Sequence, residues 1–160
     1  MDNFLTEFQG RIIASDRYDW SNHLAEYGTL RTYRQFKIEC TFEPYLDLDI
    51  SREAAQMFTR LRARLLRFEA NTGRWAKPPI PYEQRLCKLC NSAEIEDEAH
   101  VLFRCPVWAC YRYQLRGYGC MADNDLVALM ESTDEKFITD LNQFLKLVLF
   151  EKSEMLAVLG

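Results

Sequence analysis

Histidine is nearly absent from this chain, since His23 and His100 are the only two among its 160 residues. Long apolar runs are also missing: the best candidate, residues 137–150, is interrupted by polar and charged side chains, whereas a membrane-spanning helix needs about 20 apolar residues. The first fifteen residues lack the apolar stretch of a secretory signal. We therefore expect no membrane association and an intracellular location, nuclear or cytoplasmic, in which the six cysteines stay reduced.

An excess of positive charge is missing as well, because the formal net charge is -4. This value argues against a protein that binds nucleic acid through its overall charge. The distribution is nevertheless uneven. Residues 52–88 hold nine basic and three acidic side chains, residues 1–51 hold five and nine, and residues 89–160 hold six and twelve. Positive charge is therefore concentrated in one block of the chain.

A cysteine and histidine motif begins at the end of this block, with the spacing Cys-x2-Cys-x9-His-x4-Cys. Its residues are Cys87, Cys90, His100 and Cys105. Three thiolates and one imidazole form a closed tetrahedral zinc site, in which four protein ligands leave no open position for a substrate or an activated water. The motif therefore predicts one structural Zn2+. Arg85 and Lys88 flank Cys87, and we expect these cations to lower its thiol pKa.

Two other interpretations of the cysteines remain open. Buried free cysteines are common core residues, so Cys87, Cys90 and Cys105 could simply pack. A redox Cys-x-x-Cys motif is the second interpretation, although such motifs usually follow a strand in a βαβ pattern that this segment lacks. The fourth ligand is open too, because Cys110 is close enough to Cys105 in sequence to replace it.

The five-residue spacing between His100 and Cys105 requires a break in the helix. On an uninterrupted α-helix these positions point roughly 140° apart and cannot share one metal. Pro106 supplies the break, because the residue before a proline is displaced from the helical region. The acidic residues 96–98 favour a helix start just before His100. We expect a short helix bearing His100, a break at Cys105 and a new helix with Pro106 in its first turn.

The whole sequence predicts a mainly α protein, a small helical domain with an embedded structural zinc knuckle. We expect three segments packed as one domain: residues 1–77 with an arginine-rich helix, a zinc-binding module at residues 78–116, and a C-terminal helical segment at residues 117–160. In the first segment, apolar spacing predicts a short helix at about residues 4–12 and a second from about Trp20 toward Phe36, which Gly28 weakens and could split.

The basic block itself predicts a helix that Ser51 caps and that ends at residues 71–73, where glycine suits a left-handed stop. Arg60, Arg64 and Arg67 then form a row that could follow a phosphate backbone. A solvated helix face paired with acidic neighbours explains the same row, and this alternative remains open.

A proline-rich connector, residues 77–81, follows this helix and is expected to be stiff and extended. Trp75 and Tyr82 bracket the connector. These aromatic side chains could stack on unpaired bases or anchor the connector to the adjoining helices.

A final helix is predicted from a cap at Thr133 onward, with an apolar face that includes Leu141 and Leu145. This face is broad enough for a core element or for a helix that binds a partner protein. The periodicity alone does not separate the two.

Several stretches together resemble the carboxy-terminal region of non-LTR retrotransposon reverse transcriptases, including its zinc-binding segment. The similar stretches are residues 30–37, 43–46, 67–74, 85–90 and 98–106. The specific part is Cys-x-x-Cys followed by Glu-x-His-x-x-x-x-Cys-Pro, and the likeness runs from about residue 20 to residue 115. This resemblance implies a helical zinc module that contacts RNA or DNA of the element, with Cys87, Cys90, His100 and Cys105 as ligands.

The chain lacks the Tyr-x-Asp-Asp metal site of a polymerase, and no endonuclease constellation is present. We therefore expect a fragment or stand-alone derivative of that tail which is not an enzyme. The leading interpretation is binding of RNA or DNA by seven basic residues: Arg60, Arg64, Arg67, Arg74, Lys77, Arg85 and Lys88. The alternative is a zinc-stabilised protein-interaction or scaffold module whose terminal helices bind protein.

Overall fold

The structure is a computed structural model that describes residues 2–27, 30, 32–122 and 124–159. The described chain is mainly α, which confirms the predicted fold class. Its α-helices are α1 (Asp2–Glu26), α2 (Tyr33–Phe36), α3 (Arg52–Arg62), α4 (Glu69–Thr72), α5 (Gly119–Ala122), α6 (Leu126–Met130) and α7 (Glu135–Leu159). Short 3-10 turns cover Pro44–Asp47, Gly73–Trp75, Tyr82–Gln84, Pro106–Trp108 and Tyr111–Leu115, and His100–Arg104 is a π turn.

The described part of the chain contains very little β-structure. Within the described ranges there is no strand, and one isolated antiparallel bridge joins Leu86 to Ile95. No helix in that part of the chain has an apolar stretch long enough to cross a membrane.

Helix α7 lies at the centre of the fold and packs on α3 and on the turn Tyr111–Leu115. Asp134 caps it, one residue after the predicted cap Thr133, because its carboxylate accepts a hydrogen bond from the Phe137 amide at 2.8 Å. Leu141 and Leu145 are at most 1% exposed. Each such side chain contributes about 1.5–3 kcal/mol by burial, so this face is a core element and is not accessible to a partner.

One buried cluster contains residues from all three segments of the chain. Phe58 and Phe68 come from the first segment, Leu102 and Trp108 from the second, and Phe144 from the third. All five side chains are at most 1% exposed. The segment that carries the cysteine and histidine motif is therefore packed into the same core as the helices before and after it.

The N-terminal region forms one helix, α1, instead of the two predicted with a boundary between residues 12 and 20. No proline or cap interrupts that interval, so the helix continues through it. Its last turns are attached to the core, since Leu24 is buried and the Trp20 ring lies 6.3 Å from the Tyr33 ring. The helix predicted from Trp20 toward Phe36 is divided, as the alternative of a split at Gly28 allowed, because α1 ends at Glu26 and α2 begins at Tyr33. Gly28 itself lies outside the described residues.

The arginine-rich helix is shorter than predicted. Ser51 caps α3 as expected, but the helix ends at Arg62. The amides of Arg64 and Leu65 donate to the carbonyls of Leu61 and Arg60, which is the Schellman pattern of a helix C-terminus. Arg64 takes the left-handed position of that motif, with φ 56°. A non-glycine residue there is strained by about 1–2 kcal/mol, and we attribute its retention to the buried ion pair of Arg64 with Glu98 at 3.2 Å.

Gly73 does not make the left-handed stop predicted for it, since its φ is -59°. Its role is steric. A Cβ at this position would lie 2.8 Å from Cγ and Cδ of Arg85, so glycine lets the Arg85 side chain cross the backbone. The connector after it folds back instead of standing away, because the Ile80 amide donates to the Gly73 carbonyl at 2.9 Å.

Candidate metal centre

Four side chains predicted from their spacing meet at one point beside the core. They are Cys87, Cys90, His100 and Cys105, which we call the Cys87 cluster. Their ligand atoms all lie within 4.8 Å of one another, and three of the four residues are buried. Such a group could hold a metal ion. Burial together with convergence makes packing alone an insufficient account of these cysteines, because separate core cysteines have no reason to surround a histidine nitrogen.

A short hairpin positions the first two cysteines. The Cys87 amide donates to the Glu94 carbonyl at 2.9 Å, and the Glu96 amide donates to the Arg85 carbonyl at 3.0 Å. Between these bonds the chain turns through Cys90, and the Leu89 amide hydrogen-bonds to the Cys87 sulfur. The hairpin therefore points both sulfurs to the same side, and a backbone donor supports the thiolate form of one of them.

A π turn positions the other two ligands. The Cys105 amide donates to the His100 carbonyl at 2.7 Å, the i→i+5 bond that defines such a turn. This wider turn brings position i+5 closer to the face of position i than an α-helix does. Cys105 then leaves the helix with ψ 119°, and Pro106 starts the next turn. The predicted break at Cys105 is confirmed, but the π turn that precedes it was not expected from the spacing.

A hydrogen bond joins the two buried thiols of the cluster. The hydrogen bond with Cys105, followed by burial, raises the pKa of Cys87 to about 12, and the same bond lowers the pKa of Cys105. A divalent cation requires both sulfurs as thiolates and would displace the proton of this hydrogen bond. The prediction that Arg85 and Lys88 lower the pKa of the Cys87 thiol is wrong, because the structure directs both cations elsewhere.

His100 is oriented by an acidic side chain whose role the sequence did not reveal. Its Nε2 lies 3.4 Å from the Cys90 sulfur, inside the cluster, and its Nδ1 lies 3.3 Å from the Glu94 carboxylate. Arg104 Nε donates to the same Glu94 oxygen at 2.6 Å, and this contact, ahead of that with His100, lowers the pKa of Glu94. With Glu94 as the hydrogen-bond acceptor for Nδ1–H, Nε2 would be the nitrogen available to a metal. No local sequence pattern predicts the contact of Glu94 with His100, because the position of Glu94 depends on the hairpin.

The acidic residues before His100 have separate roles. Asp97 caps the turn, a role that was not predicted for it, since its carboxylate accepts a hydrogen bond from the His100 amide at 2.8 Å. Glu96 and Glu98 are almost fully buried. Glu98 pairs with Arg64, and Glu96 accepts hydrogen bonds from Lys152 of α7 and from the Glu69 amide. These contacts join the metal-binding segment to α7 and to the loop after α3.

The seven basic residues predicted to bind nucleic acid do not form one surface. Three of them make internal contacts: Arg64 pairs with Glu98, Lys88 lies 2.9 Å from Glu69, and the Arg85 guanidinium donates to the carbonyls of Ala70 and Ile80. Four have no carboxylate partner within the described ranges, namely the exposed Arg60, Arg67 and Lys77 and the partly exposed Arg74. The predicted row of Arg60, Arg64 and Arg67 is therefore wrong as a continuous row, because α3 ends before Arg64 and Arg64 is buried.

A different basic surface is present beside the hairpin. It comprises Arg74, Trp75 and Arg85 together with the exposed Lys77, which follows Trp75 by two residues in the chain, and we call it the Trp75 surface. Burial, then the neighbouring cations Arg85 and Arg64, lower the pKa of Arg74. The Arg85 guanidinium is satisfied by neutral carbonyls, so its charge stays uncompensated by any described carboxylate. The surface therefore carries a local positive potential in a protein of negative net charge.

Cys110, the substitute ligand left open by the sequence, is exposed and is not one of the four residues that converge. Cys40 and Cys120 also lie outside the cluster. The geometry of the chain itself is the basis for the assignment. Comparisons with protein-family models, with curated proteins and with solved structures find no match to this chain.

Proposed function

We propose that the Cys87 cluster binds one structural Zn2+. Zinc bound by sulfur at about 2.3 Å and nitrogen at about 2.0 Å separates its ligand atoms by roughly 3.5–3.8 Å. The Cys90 sulfur and His100 Nε2 are 3.4 Å apart, and all the ligand atoms lie within 4.8 Å, so only small shifts complete a tetrahedron. Four protein donors fill the coordination sphere, which supports a stabilising ion and a protein that is not an enzyme.

Glu94 is expected to raise the Zn2+ affinity of this site. Replacing Glu94 with alanine removes the acceptor for His100 Nδ1, so the imidazole loses its preferred orientation and some basicity. We expect Zn2+ affinity to fall by about 10- to 100-fold, as is typical when the partner of a ligating histidine is lost. Competition against a chromophoric chelator at neutral pH measures this change.

Glu83→Ala is the matched control, because Glu83 is an exposed carboxylate close in sequence to the hairpin and outside the Cys87 cluster. Its Zn2+ affinity should equal that of the wild type. Equal affinities for Glu94→Ala and the wild type would show that His100 needs no carboxylate partner.

We further propose that the zinc-stabilised domain binds nucleic acid. The observation that carries this proposal is the cation pair of Arg74 and Arg85 without a described carboxylate partner. The backbone of Arg85 belongs to the hairpin that also holds Cys87, so metal binding would fix the position of its guanidinium. Phosphate groups are the ligands that such forked, permanently charged donors fit best.

The resemblance to the tail of non-LTR retrotransposon reverse transcriptases supports the same function. In this proposal the chain is related to the zinc-binding part of that tail and lacks polymerase and endonuclease activity. The proposed contact surface differs from the predicted one, since it excludes Arg64, which is paired inside the protein, and the exposed Lys88, whose charge is paired with Glu69. Arg60 and Arg67 stay candidates at its margin because both are exposed.

Anisotropy titrations with labelled single-stranded RNA and duplex DNA, at about 50 mM and 200 mM salt, test this proposal. Affinity should fall steeply between the two salt concentrations if several phosphates are neutralised. For the double variant Arg74→Gln/Lys77→Gln, the slope of log affinity against log salt should flatten by roughly 1.4–1.8, because each neutralised phosphate contributes about 0.7–0.9.

Arg11→Gln/Lys146→Gln is the matched control. It removes the same charge from two exposed ion pairs elsewhere on the surface, with Glu7 and with Glu53. The proposal requires this control to bind with a near-native slope. No binding by the wild type at low salt, or equal losses in both double variants, would exclude binding at the Trp75 surface.

A further inference from the structure

An exposed indole ring belongs to the Trp75 surface. Trp75 is 63% exposed, and the guanidinium carbon of Arg74 lies 4.5 Å from the centroid of its ring. Because Arg74 covers one face, so large an exposure leaves the opposite face in solvent. The option that Trp75 anchors the connector to adjoining helices therefore does not hold.

The other two tryptophans are packed against the protein, unlike Trp75. Trp108 is completely buried in the core, and Trp20 packs edge-on against Tyr33. Within the described part of the chain, no aromatic ring packs against Trp75. An indole with a cation on one face and solvent on the other, beside uncompensated guanidinium groups, has the composition of a stacking platform for nucleic acid bases.

We infer that Trp75 stacks on an unpaired base of a single-stranded nucleic acid, while Arg74, Lys77 and Arg85 bind the neighbouring phosphates. This inference rests on the proposed nucleic-acid binding and names its ligand class. In a duplex the bases are stacked on each other and present only their edges to a protein, so an indole cannot reach a base face. Single-stranded RNA and DNA share the chemistry that this surface recognises, namely a free π-face beside a phosphate.

The test compares Trp75→Leu with the wild type. Ligands are single-stranded homopyrimidine oligonucleotides of RNA and of DNA, and a blunt duplex of equal length. We expect single-strand affinity to fall by about 5- to 150-fold and duplex affinity to stay nearly constant. Trp75→Phe, which keeps a ring, should restore most of the affinity. Single strands should also quench the tryptophan emission of the wild type, and this quenching should vanish in Trp75→Leu.

Tyr113→Leu is the matched control, because Tyr113 is 73% exposed and the guanidinium carbon of Arg116 lies 5.6 Å from its ring centroid. This control should bind like the wild type. If Trp75→Leu binds single strands as well as Tyr113→Leu does, the stacking inference is wrong, although salt-dependent binding would preserve the proposed function. Failure of the wild type to bind any of the ligands would remove the proposed function itself. The RNA and DNA arms identify which single strand is preferred.

Discussion

Cys90→Ser is expected to lower the melting temperature by at least about 10 °C and to make it insensitive to a chelator. Cys90 is the partly exposed member of the Cys87 cluster, so serine there adds little burial cost of its own. The fall in melting temperature would therefore arise from the loss of metal binding. Structural zinc in small domains contributes about 10–16 kcal/mol of binding free energy, and each kcal/mol shifts the midpoint of a domain of this size by about 2–4 °C. Circular dichroism melts with and without chelator measure the effect.

Cys110→Ser is the control for this experiment. Cys110 is exposed and outside the cluster, so its replacement should leave both the melting temperature and the chelator sensitivity unchanged. A fall as large as that of Cys90→Ser would restore Cys110 as the fourth ligand. Identical melting curves for the wild type, the chelated wild type and Cys90→Ser would eliminate a structural metal.

Lys152→Met is expected to destabilise the protein by about 3–5 kcal/mol. Lys152 is buried on α7, and its ammonium contacts the fully buried Glu96, the Glu69 carboxylate at 3.6 Å and the Arg67 carbonyl at 2.9 Å. Methionine fills a similar volume but leaves two carboxylates without this cation. An uncompensated buried charge costs more than the ion pair contributes, so the loss should be large. Urea unfolding followed by circular dichroism gives the change.

Lys146→Met removes a lysine from the same helix and serves as the comparison. Its ion pair with Glu53 is solvent-exposed, with about half of each side chain in water, so we expect a loss below about 1 kcal/mol. Similar losses for the two variants would mean that the contact with Glu96 adds no more to stability than a surface pair.

The network around Lys152 shows that the segment carrying His100 and Cys105 is attached to the rest of the protein by buried ionic contacts as well as through the Cys87 cluster. Glu96 precedes His100 by four residues, and Lys152 ties it to the last half of α7. Glu98 ties the same segment to Arg64 and to the Asn71 amide at 3.0 Å. These buried ionic contacts span long stretches of sequence. They account for the left-handed Arg64 and for the early end of α3.

Local reasoning identified the parts of the site whose partners are near in sequence. The spacing of Cys87, Cys90 and His100, with the proline after Cys105, predicted the four side chains that converge, although it left Cys110 as an alternative fourth ligand. Ser51 as a cap follows the same logic, because a cap and its amide are three residues apart. Glu94 could not be found in this way, since it reaches His100 only through the hairpin that pairs Leu86 with Ile95.

The sequence by itself determined that the chain is helical, that cysteines and a histidine spaced like metal ligands lie in one segment, and that positive charge is concentrated before it. Tertiary structure alone decided which cations are free. Arg64 is paired with a carboxylate inside the protein and the exposed Lys88 with Glu69, whereas Arg74 and Arg85 are not paired with a described carboxylate. The reason is physical: a guanidinium or ammonium group has the same charge in either setting, and only the folded chain places a carboxylate, a carbonyl or solvent beside it.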